Sequence, residues 1–353
     1  MQTMKVSDLP AFIKSVALDM DEPLMLWGPP GCGKSAVVAQ VAERANAVLV
    51  DIRLSQYDSV DLRGFPTVEA GKYEGSGAMA WVPPVTLPFV GNKAFPTDRL
   101  IVLFLDEVNS AAPAVAAVAY QLINDRRVGE HKLMPNVRIL AAGNREGDKG
   151  VTNRMPLPLA NRMTHVEIIM DHESWIAHHL DNSGDPLMAA FFMYRPALIC
   201  TFDPAKPAKA FGTFRSWTKA ARYVASDMSR SMKYTAVAGA VGDGEAAELF
   251  GFMDIAAKMP DLDDVIARPT KAPLPDGVGM SYAVSMALSV RMDADNEQEL
   301  TAIDTYLRRM PVEFYSLAWT RAIQRENSRY AQALLASAPG AAYAKTLQDI
   351  TGR

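Results

Sequence analysis

The octet Gly28-Pro29-Pro30-Gly31-Cys32-Gly33-Lys34-Ser35 constrains this chain more than any other feature. It has the form G-x-x-x-x-G-K-S. It stands between a short apolar run, Leu24-Met25-Leu26-Trp27, and a segment of helical periodicity from Ser35 to Arg44. A buried strand, a glycine-rich turn and a helix in that order make a cradle for phosphate. The glycines let successive backbone N–H groups turn inward, and the helix N-terminus adds a favourable dipole. Lys34 is placed to reach the β- and γ-phosphates and Ser35 to ligate Mg²⁺. All eight residues are candidate nucleotide-binding positions, and the expected ligand is ATP with Mg²⁺.

Two further strand ends carry chemistry. Arg99 to Asp106, RLIVLFLD, is a continuous apolar run closing on two acids, which predicts a central parallel strand buried on both faces. Asp106 is the candidate metal-binding acid and Glu107 the candidate general base that polarises the attacking water. Val137 to Ala142, VRILAA, predicts another such strand, and Asn144 follows it. A neutral amide at that tip can orient the lytic water.

The rest of the first half supplies strands at Ala47 to Leu54 and Thr164 to Met170 and a helix at Pro113 to Asn124. Strands alternating with helices predict a doubly wound α/β fold with a five-stranded parallel sheet. Residues 1–20 carry helical spacing, and residues 55–98 are rich in Gly and Pro and read as turns or hairpins. After about residue 171, helical periodicity takes over: Phe214 to Met228, Glu245 to Lys258, Ser281 to Met292, Gln298 to Arg309 and Pro311 to Arg325. A Pro-rich break, RPTKAPLPDGV, falls at 268–278. The expected division is an α/β core at 1–170, an all-α lid at 171–267 and a helical C-terminal extension at 268–353.

Composition narrows the classes. The 36 basic and 40 acidic side chains give a net charge of −4, which offers no bulk attraction to nucleic acid or an anionic membrane. The two cysteines, Cys32 and Cys200, make no disulfide framework, and one lies inside the phosphate loop, which suits a reducing compartment. The first residues show no signal-peptide pattern, and no stretch nears the ~20 apolar residues needed to span a bilayer. A cytoplasmic protein is expected. Asp227-Met228-Ser229-Arg230-Ser231 matches the D-x-S-x-S metal motif of von Willebrand A domains. The residues before it, WTKAARYVAS, read as a helix rather than the hydrophobic strand the motif requires, so it is read as a helix end. The five histidines form no metal constellation.

In order and spacing these residues resemble the AAA+ ATPase superfamily, and within it the MoxR-type, dynein-related branch. The octet, the Asp106-Glu107 pair and Asn144 match its Walker A, Walker B and sensor 1 elements. The stretch from Asp61-Leu62-Arg63-Gly64 through Trp81-Val82-Pro83-Pro84 is similar to that branch's hairpin insert, and LINDRRVGEHKLMP, Leu122 to Pro135, to its pre-sensor hairpin. The resemblance implies an arginine finger in Leu157-Pro158-Leu159-Ala160-Asn161-Arg162-Met163, at Arg162, with Arg154 the competing candidate. It implies a lid arginine in Thr213-Phe214-Arg215-Ser216, at Arg215. It also implies a homo-oligomeric, hexameric ring working as a motor or remodelling chaperone on a protein partner, such as one carrying a von Willebrand A domain. Other readings are a switch or scaffold with little turnover, which intact Glu107, Asn144 and Arg162 disfavour, and a DNA-directed motor, which the acidic balance disfavours. A P-loop kinase would need neither Asn144 nor Arg215.

Overall fold

The apolar runs fold as strands. In chain order these are β1 (Thr3–Lys5), β2 (Leu24–Trp27), β3 (Val48–Arg53), β4 (Phe65–Tyr73), β5 (Ser76–Val82), β6 (Ile101–Asp106), β7 (Arg127–Val128), β8 (His131–Lys132), β9 (Val137–Gly143) and β10 (Thr164–Ile169). Six form one sheet in the order β1-β10-β2-β9-β6-β3, with every neighbouring pair parallel. The computed structural model describes residues 2–73, 76–145, 147–148, 155, 157–206, 208–324 and 328–351.

The doubly wound parallel sheet stands as the sequence predicts, with one strand more than five. The addition is β1, paired with β10 at Glu167–Ile169. Three residues are too few for their alternation to show against the helical spacing of residues 1–20, most of which form the helix Leu9–Ile13 and the π-helical turn Lys14–Asp19. The remaining strands make two small antiparallel hairpins, β4 with β5 and β7 with β8. They fall in the Gly/Pro-rich stretch read as turns or hairpins and in the segment before β9 that resembles a pre-sensor hairpin.

Strand alternation divides the core between the two sheet faces. Met25, Trp27, Ile101, Leu103, Leu105, Ile139 and Ala141 pack on one side with Val115, Val118, Ala119 and Leu122 of the helix Pro113–Asp125. Leu24, Leu26, Val102, Phe104, Leu140, Ala142 and Ile168 pack on the other with Val37, Val38 and Val41 of the helix Lys34–Arg44. This parity decides which strand-end side chains meet in the site.

The chain divides into two compact units, 1–170 with 202–207 and 171–201 with 208–353. The second is helical among the described residues. Its helices include Phe214–Ala225, Asp243–Ala256, Val278–Arg291, Glu297–Leu307 and Val312–Ile323, close to the expected spans. The D-x-S-x-S segment joins two helices, with Ser229 capping Arg230–Val241. No group of three or more metal-ligating side chains occurs among the described residues. No helix among them is long and apolar enough to cross a membrane.

One buried carboxylate organises the C-terminal helices. Asp304 accepts from Tyr315 Oη at 3.0 Å, Trp319 Nε1 at 3.0 Å and Arg308 Nε at 2.7 Å. Burial, reinforced by the Asp304 charge, pushes the Tyr315 phenol well above its usual value. Replacing Asp304 by alanine strands two buried donors, so urea unfolding of the variant is expected to show a loss of about 2–4 kcal/mol. A loss under ~0.5 kcal/mol, typical of a surface position, would show that the network contributes nothing.

Candidate active site

The loop that follows β2 takes its shape from two glycines in the left-handed region, Gly31 at φ 75° and Gly33 at φ 96°. A side chain would be strained at either. Gly33 caps the helix Lys34–Arg44, whose N-terminus therefore opens onto the loop. Cys32 points the other way: its side chain is buried in the core with Val37, Val38 and Ile168. Burial pushes its thiol up, against the opposing pull of the Lys34 ammonium. What Cys32 can offer a phosphate is its main chain.

Parity brings Ser35 and Asp106 together. Even-numbered residues of β6 point toward the helix Lys34–Arg44, as Val102 and Phe104 show. Asp106 continues that series and accepts a hydrogen bond from Ser35 Oγ at 2.8 Å. Lys34 is buried, and its ammonium donates to Gly28 O at 2.8 Å, Pro29 O at 3.1 Å and Asn144 Oδ1 at 3.4 Å. A buried ammonium needs such acceptors. Phosphate oxygens can replace these with charge-assisted bonds.

The other two predicted residues sit at the same edge. β2 pairs with β9 from Leu24–Leu140 to Trp27–Gly143, and β9 pairs with β6. The loop, Asp106, Glu107 and Asn144 thus lie at the C-terminal ends of three adjacent parallel strands, where open α/β sheets place their ligands. Glu107 is non-glycine at φ 58°, a left-handed conformation that costs of order 1 kcal/mol and clusters at functional sites. Its N–H donates to Asp106 Oδ1 at 2.8 Å, and its carboxylate accepts from Ser55 Oγ.

Sequence reading missed two supports. Asn109 is 1% exposed and holds Asn144 from both sides, with Nδ2 donating to Asn144 O at 2.7 Å and Oδ1 accepting from Asn144 N at 3.2 Å. A Cβ on Gly143 would come within 2.5 Å of that Oδ1, which explains a glycine before Asn144. Its only signal was a second amide two residues after Glu107. The other is Arg145, which pairs with buried Asp148 at 2.9 Å and with Glu167 of β10 at 3.2 Å. It ties the main chain after Asn144 across β2.

The predicted arginines are placed differently. Arg162 is exposed and has no ion-pair or hydrogen-bond partner among the described residues. It stands two residues before Thr164, which pairs with Leu24 at the start of β2. Four strand residues, about 13 Å, separate that end of the sheet from the end bearing its own loop. Arg154 lies outside the described residues. Arg215 is the second residue of the helix Phe214–Ala225, in the second unit, where a Thr213–Ser216 capping box begins the helix.

The donor set fits a nucleoside triphosphate with a hard divalent cation. A hydroxyl and a carboxylate already share one point, oxygen ligands suit Mg²⁺, and a cation-bearing loop lies beside them. Comparison with known proteins agrees. Residues 23–163 match the AAA domain of the dynein-related subfamily, a span that takes in the loop, both acids, Asn144 and Arg162. Midasin from Giardia intestinalis is 29% identical over 189 residues, covering 49% of this chain. This chain corresponds to only 4% of that relative's length. Two solved structures are similar at low identity. A RuvB variant from Thermotoga maritima shares 16% identity, with 86% of this chain and 87% of that chain covered at a TM-score of 0.38. NtrX from Brucella abortus in complex with ADP shares 17%, with 98% and 68% covered at a TM-score of 0.34. The loop and acids at parallel strand ends have the layout of a P-loop nucleotide site. Over residues 23–163 this chain is similar to an AAA domain of the dynein-related subfamily.

Proposed function

We propose that this chain is a MoxR-type ATPase motor that assembles into a ring, a hexamer by the resemblance, and uses hydrolysis to remodel a protein partner or complex. A von Willebrand A-domain protein fits the partner role. The observation that carries the reading is a divided constellation. Lys34, Ser35, Asp106, Glu107 and Asn144 converge at one end of the sheet, while exposed Arg162 stands at the other. A site of this kind is completed when a second copy brings its Arg162 to the first copy's γ-phosphate.

Placement at one sheet edge supports the proposed roles of Lys34, Ser35, Asp106, Glu107 and Asn144, and the resemblance those of Arg162 and Arg215. Lys34 exchanges loop carbonyls for β- and γ-phosphate oxygens. Ser35 and Asp106 are the residues that would hold Mg²⁺, which when bound neutralises charge developing between the phosphates. Glu107 takes a proton from the attacking water, and Asn144, fixed by Asn109, orients that water. Arg162 of the neighbour stabilises the charge that accumulates on the transferred phosphoryl group, and the resemblance alone assigns Arg215 a γ-phosphate-sensing role. Product release then moves the lid and performs the work.

Native mass determination with and without ATP and Mg²⁺, beside turnover at rising protein concentration, tests this reading. Multi-subunit assemblies with nucleotide, and a specific rate that climbs with concentration, are expected. A strict monomer with a concentration-independent specific rate would contradict it.

A further inference from the structure

The nucleotide loop and the turn that carries Arg162 are joined inside one subunit by a single histidine. Trp27, the last residue of β2, donates from Nε1 to His165 Nδ1 at 2.9 Å. An indole N–H is a donor only, so Nδ1 is the acceptor and the ring proton is on Nε2. Nε2 in turn donates to Ala160 O at 2.7 Å. The two rings lie nearly parallel, 13° apart with centroids 6.1 Å apart. The same carbonyl accepts from Met163 N at 3.4 Å, closing the turn Ala160-Asn161-Arg162-Met163 with Arg162 in its third position. At the other end, Trp27 is bonded directly to Gly28, the first residue of the phosphate loop.

Strand parity explains the link. His165 and Glu167 pair with Met25 and Trp27 and share their face of the sheet. A tryptophan ring at the loop end of β2 can therefore reach a histidine near the start of β10. The sequence offers no phosphate, metal or catalytic task for His165, and the site described above does not use it.

We propose that His165 is a positioning residue: the relay Trp27–His165–Ala160 sets the pose of Arg162 according to the state of the same subunit's loop. Nucleotide entering one pocket is thereby felt by the arginine offered to the next. This rests on Arg162 acting in trans. A rigid tautomer with a partner on each nitrogen transmits a shift of Trp27 to the turn, and a turn displaced by an ångström at a phosphoryl-transfer site costs up to about 10²-fold in rate.

The test uses the full chain and compares H165F, H165N, H165Q, W27F, R162A and the double variant H165F/R162A by kcat, KM and nucleotide affinity. Asparagine can keep the Trp27 bond and glutamine the Ala160 bond, but neither keeps both. A relay predicts that H165F, H165N, H165Q and W27F all lose about ten- to hundredfold in kcat, with KM and nucleotide affinity within about twofold. It also predicts that H165F adds little to R162A, because both act through one group. Wild-type turnover by H165N or H165Q beside an impaired H165F would overturn the relay, since one bond would then suffice. So would wild-type turnover by W27F, which lacks the indole donor. Full additivity of H165F and R162A would also overturn it. Wild-type turnover by R162A would instead sink the trans-acting reading underneath, which keeps the two failures apart.

Discussion

The Glu107→Gln protein is expected to hold nucleotide as tightly as the native chain and to hydrolyse it about 10²–10⁴-fold more slowly. An amide keeps the size of the side chain and an oxygen that can accept from Ser55, so the left-handed turn at Glu107 has every reason to persist. What it loses is the capacity to take a proton. Lys34, Ser35 and Asp106, the proposed binding residues, are untouched. Nucleotide titration beside phosphate release separates the two properties. Undiminished phosphate release would remove Glu107 from the chemistry and place the base elsewhere.

Arg162→Ala is expected to lower turnover by about 10³-fold or more, the range in which phosphoryl-transfer arginines act. Its side chain is exposed and engages nothing among the described residues. Folding stability should therefore stay within about 0.5 kcal/mol of the native value. An effect of that size from a surface residue at the far end of the sheet is hard to produce within one subunit. It is natural when the pocket lies on a neighbour. A rate within a fewfold of native, measured at a concentration where assemblies form, would transfer the finger role to Arg154 or remove it altogether.

The site was legible in the sequence wherever the chemistry is local. The octet, Asp106-Glu107 and Asn144 each close an apolar run, and a parallel strand buried on both faces reads as such a short continuous run. Supports that act through pairing across the sheet were not legible. Asn109, Ser55 and His165 take their places from register: β9 against β6, β3 against β6 and β10 against β2. No spacing rule along the chain reveals those neighbours. The edge strand Thr3–Lys5 escaped because three residues carry too little alternation to outweigh helical spacing. The helices of the second unit were readable from amphipathic periodicity. The Asp304 network within them was not, since Tyr315 and Trp319 meet it only once two helices pack.

Subunit mixing tests the central claim most directly. E107Q subunits keep Arg162 but lack the base, and R162A subunits keep the base but lack the finger; each alone should be nearly inactive. If catalysis needs both from different copies, mixing them in equal amounts under conditions of exchange restores activity. Random assembly makes roughly a quarter of the interfaces complete, which sets the expected rate at about a quarter of native. A mixture no more active than its two components would contradict a site shared between subunits.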